Sequence, residues 1–71
     1  MMTDSDRVTI DYINHRGERA ERLITPLPGG IKFTTTEWHP EPQWLLTAFD
    51  VDKQVWRDFA MKDIHSWRAA T

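Results

Sequence analysis

The chain alternates apolar and polar residues over short stretches, which is the pattern of β-strands that bury one face. In residues 7–13, Val8, Ile10 and Tyr12 fall on one face and mainly polar residues fall on the other. No stretch repeats apolar residues at i, i+3 and i+4 for three turns, so the pattern favours strands over helices. Residues 7–13 are therefore the first predicted strand.

Asn14 and Gly17 predict a turn after this strand, since asparagine starts turns with its side chain and glycine accepts a positive φ. A second strand is predicted over residues 18–27. Its end carries prolines, which cannot donate to a ladder and are confined to edges or bends. We expect the following glycine pair to turn the chain and residues 31–36 to form a third strand.

Residues 37–43 are predicted to be a stiff loop, because Pro40 and Pro42 fix φ and restrict the residues before them. Residues 43–51 are the most apolar run and are predicted to be the fourth and central strand. Apolar side chains occupy both of its faces: they are Trp44, Leu46 and Ala48 on one face, and Leu45 and Phe49 on the other. Strands buried on both faces have this composition, so we expect Trp44 in the core.

A fifth strand is predicted over residues 54–61, followed by a short turn of helix at residues 62–64. We expect residues 65–71 to be a tail that adds another helical turn or frays, and residues 1–6 to be a disordered N-terminus. Residues 7–64 are then one domain of the mainly all-β class. Five short strands joined by tight turns predict a small SH3-like, Sm-like or OB-like barrel, whose closure hides the strand edges.

The composition sharpens the picture of a domain with a thin core. A chain of 71 residues buries only roughly 60 % of its unfolded surface. It has no cysteine, which excludes disulfides and cysteine–zinc sites as staples. Four Trp, three Phe and one Tyr are the expected substitute, since each large ring buries on the order of 150–250 Å².

Charge and hydropathy narrow the classes of function. The net charge of −2 argues against non-specific binding of nucleic acid, which needs a basic surface. No apolar run approaches the roughly 20 residues of a membrane span, and the first residues lack the apolar stretch of a secretory signal. We therefore expect a cytoplasmic protein. No nucleophile–base constellation follows from the spacing, so we expect no enzyme and no cofactor.

Three stretches resemble the WYL domain, a bacterial module with an Sm-like, SH3-like barrel. They are an arginine-aliphatic-proline run at residues 22–26, a Trp-Leu-Leu strand with an Asp-led turn at residues 44–50, and an arginine-phenylalanine-isoleucine run at residues 57–64. Leu45 replaces the family's central tyrosine, and Asp63 stands where the family has a basic residue. The resemblance implies a regulatory domain whose basic and aromatic residues bind a nucleotide or nucleic acid.

A narrower likeness covers residues 8–64. The runs T-E-W-H-P-E-P-Q-W-L-L at residues 36–46 and D-F-A-x-K-D-I at residues 58–64 look like those of standalone small bacterial and phage proteins. Those proteins are hypothetical and of unassigned function. This likeness therefore implies a small standalone module and brings no activity with it.

Arg22 and Arg57 are the first candidate site, since arginine forks bind carboxylate and phosphate through two parallel hydrogen bonds. If the second and fifth predicted strands lie close, the two arginines, joined by Lys32, form an anion pocket beside Trp44. The alternative is a solvated network in which the arginines pair with carboxylates. The candidate partners are Glu21, Asp58 and Asp63.

The proline loop is the second candidate site. Glu37, His39 and Glu41 alternate along it and carry side chains that bind zinc, manganese or iron. The alternative is that they bond the backbone of the turn. Trp38 is the tryptophan best placed to stack on a base or a partner chain, whereas core filling is the alternative for the tryptophans as a group.

Together these observations predict a small non-enzymatic binding module with an anionic ligand, a nucleotide or nucleic acid. The predicted binding residues are Arg22, Arg57, Trp38, His39 and Glu41. The alternative function is protein–protein interaction or homodimerisation through Trp67, Trp38 or an uncovered strand edge.

Overall fold

The computed structural model describes residues 6–14 and 16–70. Five strands lie in this part of the chain: β1 (Val8–Ile13), β2 (Arg19–Thr36), β3 (His39–Asp50), β4 (Val55–Ala60) and β5 (Ile64–Ala69). They form one antiparallel sheet with the spatial order β4-β3-β2-β1-β5. The prediction of a mainly β domain is confirmed. Residues 1–5, part of the predicted disordered N-terminus, lie outside the described residues.

The β1–β2 hairpin forms as its turn residues predict. The side-chain oxygen of Asn14 accepts hydrogen bonds from the backbone N–H groups of Arg16, at 2.9 Å, and Glu18, at 3.0 Å. Gly17 takes a φ of 80°, which an L-residue with a side chain adopts only at a cost. The turn aligns Tyr12 with Ala20 and the rest of the ladder in register.

The second and third predicted strands are one strand, which corrects the expectation that the glycine pair turns the chain. β2 runs through residues 27–30 without reversing, and it pairs with β3 on both sides of a register shift between Pro26 and Ile31. A Cβ on Gly30 would lie 2.8 Å from the carbonyl oxygen of Leu27. The small residue therefore permits a tight bend in β2, where a reversal was predicted.

The prediction that residues 37–43 form a stiff loop is also wrong. The chain reverses within two residues, Glu37 and Trp38, because Thr36 already pairs with His39. Both prolines lie inside β3. β4 pairs only with residues 45–50 of β3, so the prolines occupy a stretch with a free edge, where a missing N–H breaks no ladder.

The end of the chain differs most from expectation. The predicted frayed or helical tail is strand β5, which pairs antiparallel with β1 from Val8 opposite Ala69 to Tyr12 opposite Ile64. The short helical turn before it lies at Met61–Asp63. No helix in the described residues is long and apolar enough to span a membrane.

The predicted closure into a barrel is not seen. β4 and β5 stand at the two ends of the strand order and share no ladder in the described part of the chain. β2 is the middle strand of the five, whereas the apolar run that was predicted to be central lies in β3, between β2 and β4. The missing closure leaves an opening along β4, and that opening positions the candidate site.

The core lies mainly on one face of this curled sheet. Its main cluster consists of Ile10, Tyr12, Ile24, Leu46, Ala48 and Phe59, and the cross-strand pair Leu45 and Ala60 is fully buried on the opposite face. The rings of Tyr12 and Phe59 meet edge to face with centroids 5.0 Å apart, and the Tyr12 hydroxyl accepts a hydrogen bond from the backbone N–H of Ala60 at 3.2 Å. This contact draws β1 towards the end of β4.

None of the four tryptophans belongs to the core. Trp44, expected inside, is 56 % exposed, and the other three are also about half exposed or more. Aliphatic side chains, Tyr12 and Phe59 fill the core instead, and Trp44 lies on a stretch of β3 that β4 does not flank. Core filling as the role of the tryptophans is therefore wrong.

Candidate functional site

A groove of about 630 Å³ lies where the sheet stays open. Its walls come from β1, from β2 and β3 with the turn between them, and from β4. Four of the five predicted binding residues line it: they are Arg22, Arg57, Trp38 and His39. Glu41 does not line it and lies exposed on β3. The volume falls within the roughly 300–1,000 Å³ of ligand sites.

β4 lies edge-on to this groove. Five consecutive residues, from Val55 to Phe59, line it, although successive side chains of a strand point to opposite faces. Both sets of side chains can border one groove only if the edge of the strand faces it. The floor of the site therefore includes the backbone of β4.

Arg22 supplies a positive charge without a carboxylate partner among the described residues. Other arginines of the sheet are paired. Arg19 donates to Asp11 at 2.6 Å, and these hydrogen bonds hold the pKa of the Asp11 carboxyl below its usual value. The guanidinium of Arg68 pairs with Glu21. Arg22 thus keeps its donors available to the groove.

Arg57 is held by a carboxylate that the sequence reasoning did not consider. Its Nε lies 3.3 Å from Oδ2 of Asp50, whose side chain is only 1 % exposed. The other Asp50 oxygen accepts the backbone N–H of Lys53 at 3.2 Å. The contact lacks hydrogen-bond geometry, so Asp50 attracts the Nε side of the guanidinium by charge alone, and the half-exposed Arg57 side chain lines the groove.

Lys32 and Asp58 form a second charged pair in the groove. Lys32 Nζ lies 3.3 Å from Asp58 Oδ1, and that oxygen also accepts a hydrogen bond from the Thr47 hydroxyl at 2.6 Å. Asp58 is thereby satisfied within the protein. The pair fixes the position of Lys32 and costs the groove part of its positive charge.

The turn between β2 and β3 places Trp38 and His39 at the other wall. Nδ1 of His39 lies 3.0 Å from the Thr36 hydroxyl, which also accepts the backbone N–H of His39 at 3.1 Å. The His39 ring therefore contacts a side chain of the turn, the Thr36 hydroxyl, whereas the alternative had it bonding the backbone of the turn. Trp38 is 64 % exposed beside it.

The metal hypothesis for the proline loop receives no geometric support. The structure does not gather Glu37, His39 and Glu41, and the described residues contain no group of three or more such side chains that could hold a metal ion. The reason is the two-residue turn, which puts Glu37 at its tip and Glu41 two residues into the body of β3.

Two aromatic residues that were not among the predicted binding residues contribute to the groove. Trp56 lines it from β4 and Tyr12 lines it from β1. The signal for Trp56 was its place beside Arg57 in a strand flanked by charged residues, which is typical of an edge strand. Tyr12 gave no such signal, because its alternation with Val8 and Ile10 marks it as a core residue.

A separate apolar patch lies on the part of the β2–β3 hairpin that neither β1 nor β4 flanks. We call it the hairpin patch, and it consists of Ile31, Phe33 and Trp44, all more than half exposed. Phe33 and Trp44 are cross-strand partners with ring centroids 5.5 Å apart. Ile31 is opposite the buried Leu46, so the patch continues the core face into solvent.

No protein-family model, curated protein or solved structure matches this chain. The resemblance to WYL domains and the narrower likeness to small bacterial and phage proteins therefore stay predictions.

Proposed function

We propose that the chain is a non-enzymatic binding module that takes an anionic ligand in the groove along β4. The observation that carries this proposal is Arg22, a partly buried cation with no carboxylate partner among the described residues. An arginine fork in such a place gains most from a carboxylate or phosphate of a ligand, because charge-assisted hydrogen bonds are the strong ones.

The charge of the groove supports the same proposal. Three cationic side chains line it, Arg22, Lys32 and Arg57, against two acidic ones, Glu37 and Asp58. Lys32 pairs with Asp58 and Arg57 with the buried Asp50 behind the lining, so the positive charge that stays available to a ligand is centred on Arg22. A positive cleft concentrates anions and steers them inwards.

Two tryptophans give the ligand a flat surface. Trp38 and Trp56 both line the groove and expose about half of their area or more. Bases stack on such rings, so nucleotides and short single strands are the first ligands to test. The predicted SH3-like arrangement belongs to this proposal, supported by the long bent β2 and by the 3-10 turn before β5.

The test is an NMR titration with ATP and, separately, with a four-nucleotide oligothymidylate. We expect the side-chain signals of Arg22, Arg57 and Trp38 to shift together at up to millimolar ligand. Arg22→Gln should weaken binding about tenfold or more, since a charged hydrogen bond contributes roughly 1.5–3 kcal/mol. Lys53→Gln is the matched control, because it removes one positive charge outside the groove lining.

Signals that stay unmoved at millimolar ligand, with both probes, would count against nucleotides and short single strands. Equal weakening by the Arg22 and Lys53 variants would contradict the assignment to the groove, because it would indicate attraction by overall charge alone.

A second candidate function, homodimerisation, is supported by the hairpin patch. Trp67, a predicted contact, lies on β5 outside that patch. Exposed apolar patches of a few hundred Å² mark interaction sites, and an uncharged patch can face its own copy without repulsion. Sedimentation equilibrium should show a weak dimer that Trp44→Ser abolishes and Trp67→Ser preserves. A monomer at millimolar concentration, or loss of the dimer in Trp67→Ser alone, would contradict it.

A further inference from the structure

The outer edge of β4 exposes backbone groups to the groove, and their identity follows from one hydrogen bond. The N–H of Ala60 points to the Tyr12 hydroxyl, away from the β3 ladder. Backbone groups of a strand alternate in direction, and the β3–β4 register has no shift. The N–H and C=O groups of Trp56 and Asp58 therefore also point away from β3.

These four groups have no strand partner in the described part of the chain. β4 forms a ladder with β3 alone. An edge with unpaired donors and acceptors is a template for another extended chain. At β4 that template lies inside a concave groove, so the chain that pairs with it also contacts the groove walls.

The neighbouring free edge, that of β3 beyond the end of β4, is protected against pairing with another strand. Residues 39–44 of β3 extend beyond β4, and Pro40 and Pro42 interrupt their line of N–H donors. β4 contains no proline. Of these two edges, the one that faces the groove is therefore left able to accept a strand.

We propose that the groove takes an extended peptide segment with an acidic side chain, which adds as a sixth strand to the free edge of β4. This inference rests on the proposed anion-binding function and names the class of ligand. The peptide backbone pairs with Trp56 and Asp58, and its carboxylate reaches Arg22. Strand addition of this kind draws affinity from the main chain and specificity from alternate side chains.

Size and charge fit such a segment. The five residues of β4 that line the groove, Val55 to Phe59, span about 16 Å at roughly 3.3 Å per residue, which matches an engaged segment of about five residues. Trp38 and Trp56 border the groove and offer apolar surface to the side chains between the acidic ones. A nucleotide would meet the cations and rings and leave the β4 backbone unpaired.

The decisive probe is a capped five-residue peptide of alternating valine and glutamate, followed by amide NMR. We expect the amide signals of Trp56 and Asp58 to shift downfield and their hydrogen exchange to slow at least tenfold at saturation. Two further peptides carry N-methyl groups on alternate residues. One pattern removes the donors that face β4 and should lose binding at least tenfold, whereas the other removes donors that face solvent and should bind normally.

A pair of variants isolates the backbone of the protein. Trp56→Pro and Trp56→Ala both remove the indole ring, but only the proline variant removes the outward N–H. We expect the proline variant to bind the peptide at least fivefold more weakly than the alanine variant. Should the proline variant fail to fold, the two N-methylated peptides still test the inference on the natural chain.

The outcomes separate this inference from the proposed function. Nucleotide binding without peptide binding, or equal loss with both N-methyl patterns, would overturn strand addition and leave anion binding intact. Equal affinity for a valine–glutamine peptide would refute the role of the anion and keep the strand. Self-association that Trp56→Pro abolishes and Trp56→Ala retains would identify a second copy as the occupant and overturn the peptide.

Discussion

β3 contains two regions with opposite surroundings on one face. Leu46 and Ala48 are buried, whereas Trp44, two residues earlier on the same face, is 56 % exposed. The difference lies in the neighbouring strands, because β4 flanks β3 only from residue 45 onwards. We call residues 31–44 the distal hairpin and the rest of the sheet the basal half.

The comparison teaches that alternation alone does not determine burial. An apolar side chain on the core face is covered only where flanking strands curl over it. In the distal hairpin two strands stand without flanks, and an isolated pair of strands is marginally stable in water. The basal half therefore carries the stability, and the distal hairpin carries surface for contacts.

The largest expected effect comes from replacing one aromatic side chain in each region by alanine and comparing the two losses of stability. Phe59→Ala should lower the free energy of unfolding by about 3–5 kcal/mol, because Phe59 is buried against Tyr12. Trp44→Ala should lower it by only about 0.5–1.5 kcal/mol, the value of its ring pair with Phe33. Urea unfolding measures both.

The total stability of a chain this size is about 4–10 kcal/mol, so Phe59→Ala could unfold it. Phe59→Leu, expected to cost about 1–2 kcal/mol, then replaces it in the comparison. A larger loss for Trp44→Ala than for the Phe59 variant would refute the division into two regions.

The bend that joins the two regions gives an intermediate effect. Gly30→Ala should cost about 1–3 kcal/mol, because its Cβ would meet the carbonyl oxygens of Leu27 and Thr47 at 2.8 and 3.0 Å. Gly29→Ala meets open space and pays only for its φ of 73°, about 1–2 kcal/mol. Urea unfolding measures both variants. A smaller loss of stability in Gly30→Ala than in Gly29→Ala would show that the backbone of the bend moves to accommodate the added Cβ.

A smaller effect than that of the bend, about 1 kcal/mol, comes from one hydroxyl of the basal half. Tyr12→Phe leaves the buried N–H of Ala60 without its acceptor. Urea unfolding of both chains at neutral pH measures it. An unchanged midpoint would show that the contact between β1 and β4 contributes nothing.

The same tyrosine predicts a dependence on pH. Burial raises the pKa of Tyr12 above its ordinary value, which is near 10. A raised pKa in the folded state means that its stability contribution is complete below the unfolded pKa and is lost as pH rises through the folded pKa. The natural chain should therefore lose stability above about pH 10, and Tyr12→Phe should lose less.

Local patterns predicted the elements that depend on local chemistry. The β1 strand, the Asn14–Gly17 turn and the β4 strand followed from alternation and turn residues, and four groove residues followed from their side-chain types. What failed depends on partners far along the chain. The continuity of β2, the strand character of β5 and the exposure of Trp44 are each decided by a neighbouring strand, which periodicity does not reveal.

The groove could be anticipated only in part for the same reason. Arg22 and Arg57 share it because the sheet curls and stays open, and that geometry is a property of all five strands. Asp50, which holds Arg57, precedes a turn and carried the signal of a turn residue alone.

The ladder between β1 and β5 has a consequence for how the protein is made. Val8 pairs with Ala69, so β1 waits for a partner strand that is synthesised some sixty residues later. Contacts of such sequence separation slow folding. On the ribosome the β1–β2 hairpin forms first, and β1 keeps one bare edge until the chain has passed residue 69. Completion of the sheet therefore waits for β5, whatever else of the sheet has already formed.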